Sequence, residues 1–95
     1  MNSQTPLGKV KNFGPVTTAE FKAMGFEFLE QLATYDYETL CRKWVERFPQ
    51  RLNANAFLGI ICTLEGVVWT KATARQRKLA HSLVKRLKAE YGIKR

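Results

Sequence analysis

The sequence lacks the features that would point to catalysis. It has only two cysteines and one histidine, and Cys41, Cys62 and His81 are not at the spacing of metal ligands. It has no phosphate-binding Gly-Lys-Ser/Thr loop, no nucleophile elbow and no paired catalytic carboxylates. We therefore expect a protein that is not an enzyme, with no metal and no cofactor.

Long apolar runs are also missing. The most apolar segment, 54–68, is interrupted by Gly59, Glu65 and Gly66 and is shorter than the roughly 20 residues that cross a bilayer. The first residues carry no secretory signal, and both cysteines fall among apolar residues, where a reduced thiol packs as a small hydrophobe. With Met1 taken as the natural start, these absences predict a cytoplasmic protein without disulfides or a membrane partner.

Acidic residues are scarce at one end of the chain. Sixteen Lys and Arg against eight Asp and Glu give a net charge of +8, and the sequence pI is about 9.9. Acids and bases balance as far as residue 70, whereas Glu90 is the only acid in 71–95, a segment that also includes Lys94 and Arg95. The whole excess charge is therefore C-terminal, and it favours a polyanionic partner such as nucleic acid.

The length and the periodicity predict one all-α domain over residues 1–95. Ninety-five residues, 45% of them hydrophobic, suffice for a single core. Helical spacing recurs along the chain and no β-type alternation is sustained. We expect a compact bundle of five or six helices, with a neutral core at about 5–70 and a basic C-terminal helix and tail at 71–95.

The N-terminal segment predicts a helix-hairpin-helix-like element. Thr5 and Pro6 signal a short first helix with Leu7 and Val10 facing inward. The Asn12-Phe13-Gly14-Pro15 break forms a tight turn, since Asn and Gly tolerate left-handed backbone angles. The second helix, which Gly25 ends, has an apolar stripe made of Val16, Ala19, Ala23 and Met24.

Four further helices are predicted downstream. A short one is expected around 28–32, before Thr34 or Asp36 caps the next. The most regular apolar period covers 37–48 and is ended by Pro49. Asn53 is placed to cap a central helix as far as about Trp69, and the last helix is expected at about Thr73 to Glu90 with Leu79, Leu83 and Leu87 on its apolar side. Both tryptophans, Trp44 and Trp69, fit core positions, although either could instead lie at the edge of an interaction surface.

The turn between the first two helices is one candidate site. Backbone N–H groups at the start of the second helix can hold a phosphate without reading bases, and the turn resembles a helix-hairpin-helix motif of the form Gly-hydrophobe-Gly with Asn12 at the first glycine. The competing interpretation is a purely structural turn between helices. The residues expected to contact nucleic acid here are Lys9, Lys11, Asn12, Phe13, Gly14, Thr17 and Thr18.

A wider resemblance covers about residues 7–87. It rests, in order, on Leu7, the Asn12-Phe13-Gly14-Pro15 turn, Ala19, Gly25, Leu29-Glu30-Gln31-Leu32, Asn53, Leu58, Leu64-Glu65-Gly66 and Trp69. In these residues the chain resembles the C-terminal domain of the TfoX/Sxy competence regulators. The resemblance implies an all-α domain with a helix-hairpin-helix, in proteins that promote expression of DNA-uptake genes. Many members have a Lys where Val16 stands, and an N-terminal α/β domain outside these 95 residues. Small stand-alone helix-hairpin-helix proteins are a related alternative.

The basic last helix is the second candidate site. Its cations could neutralise several phosphates and give salt-dependent, sequence-independent affinity, and the near absence of acids distinguishes it from an ordinary solvated helix face. Membrane binding ranks third, because the apolar side of the helix is needed to cover the core. The expected contacts are Lys71, Arg75, Arg77, Lys78, Lys85, Arg86 and Lys88.

These observations favour a DNA-binding or transcription- and competence-associated accessory protein. Its contacts, to DNA or to RNA, would be mostly nonspecific and made to phosphates. The alternative is an interaction module that docks to another regulatory protein, with the hairpin only structural. Its mark would be an exposed apolar patch around Phe26, Phe28, Tyr35 or Tyr37. The oligomeric state is left open.

Overall fold

The helical periodicity of the sequence produces an all-helical fold. The computed structural model describes residues 4–92, so the predicted tail residues Lys94 and Arg95 lie outside the described part. The α-helices are α1 (Pro15–Ala23), α2 (Leu29–Leu32), α3 (Tyr37–Arg47), α4 (Ala54–Glu65) and α5 (Ala74–Glu90), and 3₁₀ turns cover Leu7–Lys9, Pro49–Arg51 and Trp69–Lys71. Between residues 4 and 92 the only β-type pairing is one isolated bridge, Pro6 to Phe28. The all-α prediction is confirmed.

Local signals place most helix ends correctly. The side chains of Asp36, Asn53 and Thr73 each accept a backbone N–H in the first turn of the following helix, which satisfies donors that the helix leaves free. Pro15 opens α1 as predicted. The exception is α4, which ends at Glu65 because Gly66 adopts a left-handed backbone with φ +73°, so the helix stops short of the predicted Trp69.

The core forms around α4, as its all-round apolar composition predicted. Phe57, Ile60 and Ile61 of this helix are almost fully buried, and α4 packs most extensively against α5. Leu83 and Leu87 cover it from α5, and Leu40 from α3. The apolar period of α3 and the apolar side of α5 therefore both face the core, as expected of amphipathic helices.

The helix α1 has the opposite orientation to the one its apolar stripe suggests. Val16 is 61% exposed, and Ala19 and Ala23 are exposed as well. The buried side carries Phe21 and Glu20 instead. Full burial of one phenyl ring removes more apolar surface from water than partial burial of two alanines and a valine. Phe21 therefore determines which side of α1 faces inward.

Phe21 lies at the centre of an aromatic cluster. Its ring centroid is 5.1 Å from that of Phe13, 5.9 Å from that of Phe26 and 4.9 Å from that of Trp44. These distances lie in the range of favourable tilted ring pairs. The cluster joins the N-terminal turn, α1 and α3, so it connects parts of the chain that are distant in sequence.

A buried carboxylate accompanies this cluster. Oε1 of Glu20 accepts hydrogen bonds from Trp44 Nε1 at 2.8 Å and Arg51 Nε at 2.7 Å, and Oε2 accepts one from Arg51 at 3.1 Å. Burial alone would raise the pKa of Glu20, but the hydrogen bonds from Arg51 and Trp44 and the positive charge of Arg51 outweigh it and lower this pKa. Glu20 is therefore held ionised beside the core.

The N-terminal segment differs from the predicted first helix. Only Leu7–Lys9 is helical, as a 3₁₀ turn. The side chain of Thr5 does not cap it; its hydroxyl donates to Glu30 at 3.1 Å, and its backbone N–H donates to the same carboxylate at 2.8 Å. Leu7 and Val10 are buried, as predicted. The element therefore consists of a 3₁₀ turn, a loop and α1.

Candidate nucleic-acid interface

The outward side of α5 carries a continuous row of basic residues. At 3.6 residues per turn, these basic residues lie within about 100° of the helix circumference, opposite the buried Leu83. Along the helix axis they extend over about 16 Å. All of them are exposed. We call this set the α5 stripe: Arg77, Lys78, His81, Lys85 and Lys88.

Two of the predicted α5 contacts lie beside the stripe and are engaged in ion pairs. Arg75 donates to Glu65 at 2.8 Å and Arg86 donates to Glu38 at 2.9 Å. Hydrogen bonds from Gln76 and then Arg75 lower the pKa of Glu65, and hydrogen bonds from Arg42 and then Arg86 lower that of Glu38. Both acids therefore stay ionised, and they offset part of the positive charge on this side of α5.

The α5 stripe has no such compensation. Within residues 4–92, no salt bridge involves Arg77, Lys78, Lys85 or Lys88. The only acid of the helix, Glu90, is bound to Arg42 of α3 on another side. The stripe is therefore a surface of one charge sign in water, which attracts a polyanion.

The hairpin cations lie at one end of the bundle. Lys9 and Lys11 are exposed and line a shallow hollow of about 220 Å³ with Gly66, Val67 and Val68 of the α4–α5 loop. Lys71, also exposed, follows in the same loop. The structure thus brings Lys9, Lys11 and Lys71 to the same end, whereas the α5 stripe begins one turn into α5.

The side chains of Asn12 and Phe13 have internal roles, so we leave them out of the interface. Asn12 Nδ2 donates to Thr63 at 3.1 Å and to the Val67 carbonyl at 2.9 Å, while its Oδ1 accepts the Trp69 N–H at 2.9 Å. Phe13 is buried in the aromatic cluster. Among the described residues, positive φ occurs only at Gly25, Gly66 and Gly92, so neither Asn12 nor Gly14 uses the left-handed backbone that we expected.

The remaining hairpin residues keep the start of α1 accessible. Gly14 is exposed and extended as its N-cap. Thr17 is half-buried, and so is Thr18, whose hydroxyl faces the Leu7 carbonyl at 3.5 Å. The free N–H groups in the first turn of α1 point along the helix axis towards its N-terminus, where they add a modest positive potential.

We expect Asn12→Ala to loosen the attachment of the N-terminal turn to the α4–α5 loop. The substitution removes three hydrogen bonds and leaves the Val67 carbonyl and the Trp69 N–H without their partner, which predicts a loss of about 2 kcal/mol in the free energy of unfolding. Urea unfolding followed by circular dichroism measures it. The control is Asn55→Ala, an exposed asparagine, with an expected change under about 0.5 kcal/mol; equal losses would contradict the role of Asn12.

Trp69 lies at the surface rather than in the core. Its side chain is 45% exposed, whereas that of Trp44 is buried. Sequence patterning placed Trp69 at the end of the apolar α4, but Gly66 ends that helix and turns the chain away. No local pattern in the sequence indicates that the tryptophan at position 69 is exposed.

The cysteines and the histidine form no site in the described part of the chain. Between residues 4 and 92 no group of three or more potential metal ligands occurs. Cys41 and Cys62 are free and buried, and burial raises the pKa of both thiols, which keeps them protonated and unreactive. No helix between residues 4 and 92 has the length and apolarity needed to span a membrane.

Comparison with known proteins returned nothing that would identify the interface. No family model matches the chain, and no curated protein or solved structure is significantly similar to it. The resemblance to the competence regulators therefore stays a prediction, and the geometry of the site has to support a function by itself.

Proposed function

We propose that the protein binds the phosphate backbone of nucleic acid through the α5 stripe, without catalysing a reaction. The observation that carries this proposal is the set of exposed Lys and Arg side chains of the α5 stripe, Arg77, Lys78, Lys85 and Lys88, with which no acid within residues 4–92 forms a salt bridge. Each phosphate contact releases a counterion, so affinity should fall steeply with salt and depend little on sequence. Lys9, Lys11 and Lys71 add a second cluster of cations at the end of the bundle.

The resemblance to the TfoX/Sxy regulators extends this proposal to a biological setting. An accessory protein in transcription or competence, acting in the cytoplasm, would contact the phosphate backbone of DNA rather than its bases. A narrow, one-sided basic surface about 16 Å long suits such contacts because it covers only a short stretch of backbone.

The test is fluorescence anisotropy with labelled DNA over a salt series, comparing two double variants. Lys78→Glu/Lys85→Glu reverses two of the four Lys and Arg charges of the α5 stripe and should weaken binding by about tenfold or more at low salt and lower the salt slope by about 2. Lys22→Glu/Lys43→Glu changes the net charge equally on exposed positions of α1 and α3 and should have little effect. Equal losses in both variants would contradict a defined interface.

The alternative function, docking to another regulatory protein, depends on exposed apolar surface. Phe26 is buried and Phe28 and Tyr37 are half-buried, whereas Tyr35 is 37% exposed, so only Tyr35 of the patch that this alternative predicted is exposed. Exposed apolar surface also lies on the outward side of α1, around Val16. If the wild-type protein binds no DNA even at low salt, the nucleic-acid proposal fails, and Val16→Glu becomes the variant with which to test docking to a protein.

A further inference from the structure

A groove beside Trp69 separates the start of α1 from α4. It has a volume of about 340 Å³ and is lined by Thr17, Asn55, Gly59 and Trp69, with Asn12 and Trp44 deeper among its walls. Among the lining residues only Arg51 is charged, and its guanidinium is already paired with Glu20. A groove of this size and polarity suits a flat, uncharged group that can both stack and form hydrogen bonds.

The backbone of Trp69 is held in place although the residue is 45% exposed. Its backbone N–H is bound by Asn12 at 2.9 Å, and its carbonyl accepts the Ala72 N–H at 3.1 Å within the 3₁₀ turn. The backbone that carries the ring is therefore ordered by contacts already made within the protein. A preorganised aromatic surface loses little conformational entropy when another ring stacks on it.

Two polar side chains of the groove have unused hydrogen-bonding capacity. Asn55 lies in the first turn of α4, and Thr17 in the first turn of α1. Within residues 4–92, neither the Asn55 amide nor the Thr17 hydroxyl takes part in a side-chain hydrogen bond, in contrast to Asn12 and Asn53. An amide that offers both a donor and an acceptor matches the edge of a nucleobase.

Gly59 contributes to the wall of the groove without a side chain. It lies in the interior of α4, where glycine destabilises a helix relative to alanine. A Cβ atom at this position would meet no atom within 4 Å, so packing does not require glycine here. The absent side chain leaves the floor of the groove free.

We propose that this groove holds one unpaired nucleobase, stacked on the Trp69 indole and hydrogen-bonded by Asn55, so that the protein prefers single-stranded to duplex nucleic acid. The inference rests on the proposed function, because the α5 stripe and the exposed Lys71, two residues from Trp69, would bind the phosphates. In duplex DNA the bases are paired and stacked on one another, so this groove cannot take one.

The test compares a mixed-sequence single strand, the same sequence as duplex, and an abasic single strand, all by anisotropy. Trp69→Ala should weaken single-strand binding about tenfold and change duplex and abasic binding less than twofold. Trp69→Phe should retain most of the affinity. Gly59→Leu, which fills the groove but leaves the indole, should reproduce the loss of single-strand affinity.

The matched control is Tyr35→Ala, which removes another exposed aromatic ring outside the groove.

The outcomes separate this inference from the function on which it rests. If Trp69→Ala leaves single-strand binding unchanged, or weakens all three probes equally, the base-binding groove is refuted while backbone binding by the α5 stripe stands. If the wild-type protein binds none of the probes, both proposals fail. Tryptophan fluorescence gives a second measurement, since stacking should quench the emission of the exposed Trp69. The absence of quenching on single-strand binding would also overturn the groove.

Discussion

Replacing Glu20 by Gln should cost about 3 kcal/mol of the free energy of unfolding, with a fall in Tm on the order of 10 to 20 °C. The carboxylate accepts three hydrogen bonds, two from Arg51 and one from Trp44. An amide in its place presents a donor to the Arg51 guanidinium and leaves that cation without its partner. Thermal and urea unfolding followed by circular dichroism measure the loss.

The matched control is Glu27→Gln, which makes the same replacement at an exposed carboxylate. Its free energy of unfolding should stay within about 0.5 kcal/mol of that of the wild type. Arg51→Gln should also destabilise, and the double variant should lose less than the sum of the two, since the pair is coupled. Additive losses would contradict a direct interaction between Glu20 and Arg51.

The same ion pair predicts a dependence of stability on pH. Because the pKa of Glu20 is lowered in the folded protein, its contribution is present above the pKa of the unfolded chain, about 4.3 for Glu. It is lost as the pH falls through the lower folded value. We expect the stability difference between wild type and Glu20→Gln to shrink between neutral pH and about pH 3, and a constant difference would contradict this assignment.

The second large effect is expected at Phe21. Phe21→Ala should lower the free energy of unfolding by about 3 to 5 kcal/mol, because the ring is fully buried among Phe13, Phe26 and Trp44. Val16→Ala, on the opposite side of α1, should change it by less than about 0.5 kcal/mol. If Val16→Ala were the more destabilising of the two, the orientation of α1 described above would be wrong.

Much of the secondary structure could be predicted because its causes are local. Asp36, Asn53 and Thr73 cap the helix that follows each of them, and a capping side chain acts on backbone groups only three residues away. The apolar period of α3 matches its buried side for the same reason, since helix geometry alone places those residues together. The end of α4 was missed because the two residues that follow Gly66 continue the apolar pattern.

The candidate site was predicted less completely, since the partners of a surface charge can come from any part of the chain. The basic side of α5 is visible in the sequence, but Glu38 and Glu65, which neutralise Arg86 and Arg75, lie in other helices. The balance of charge counted along the chain therefore differs from the balance on the folded surface. Only the folded arrangement separates the α5 stripe from the paired cations beside it.

The sequence by itself determined the all-α class, most helix boundaries and the excess of positive charge at the C-terminal end, because each depends on residue type and on spacing within one or two turns. The tertiary structure decided which side of α1 is buried, where Trp69 lies and which cations remain without acids. Those three depend on competition among long-range contacts: the ring of Phe21 outweighs a stripe of small residues, and Asn12 holds the Trp69 backbone from a position 57 residues away. Spacing along the chain carries no information about such competition.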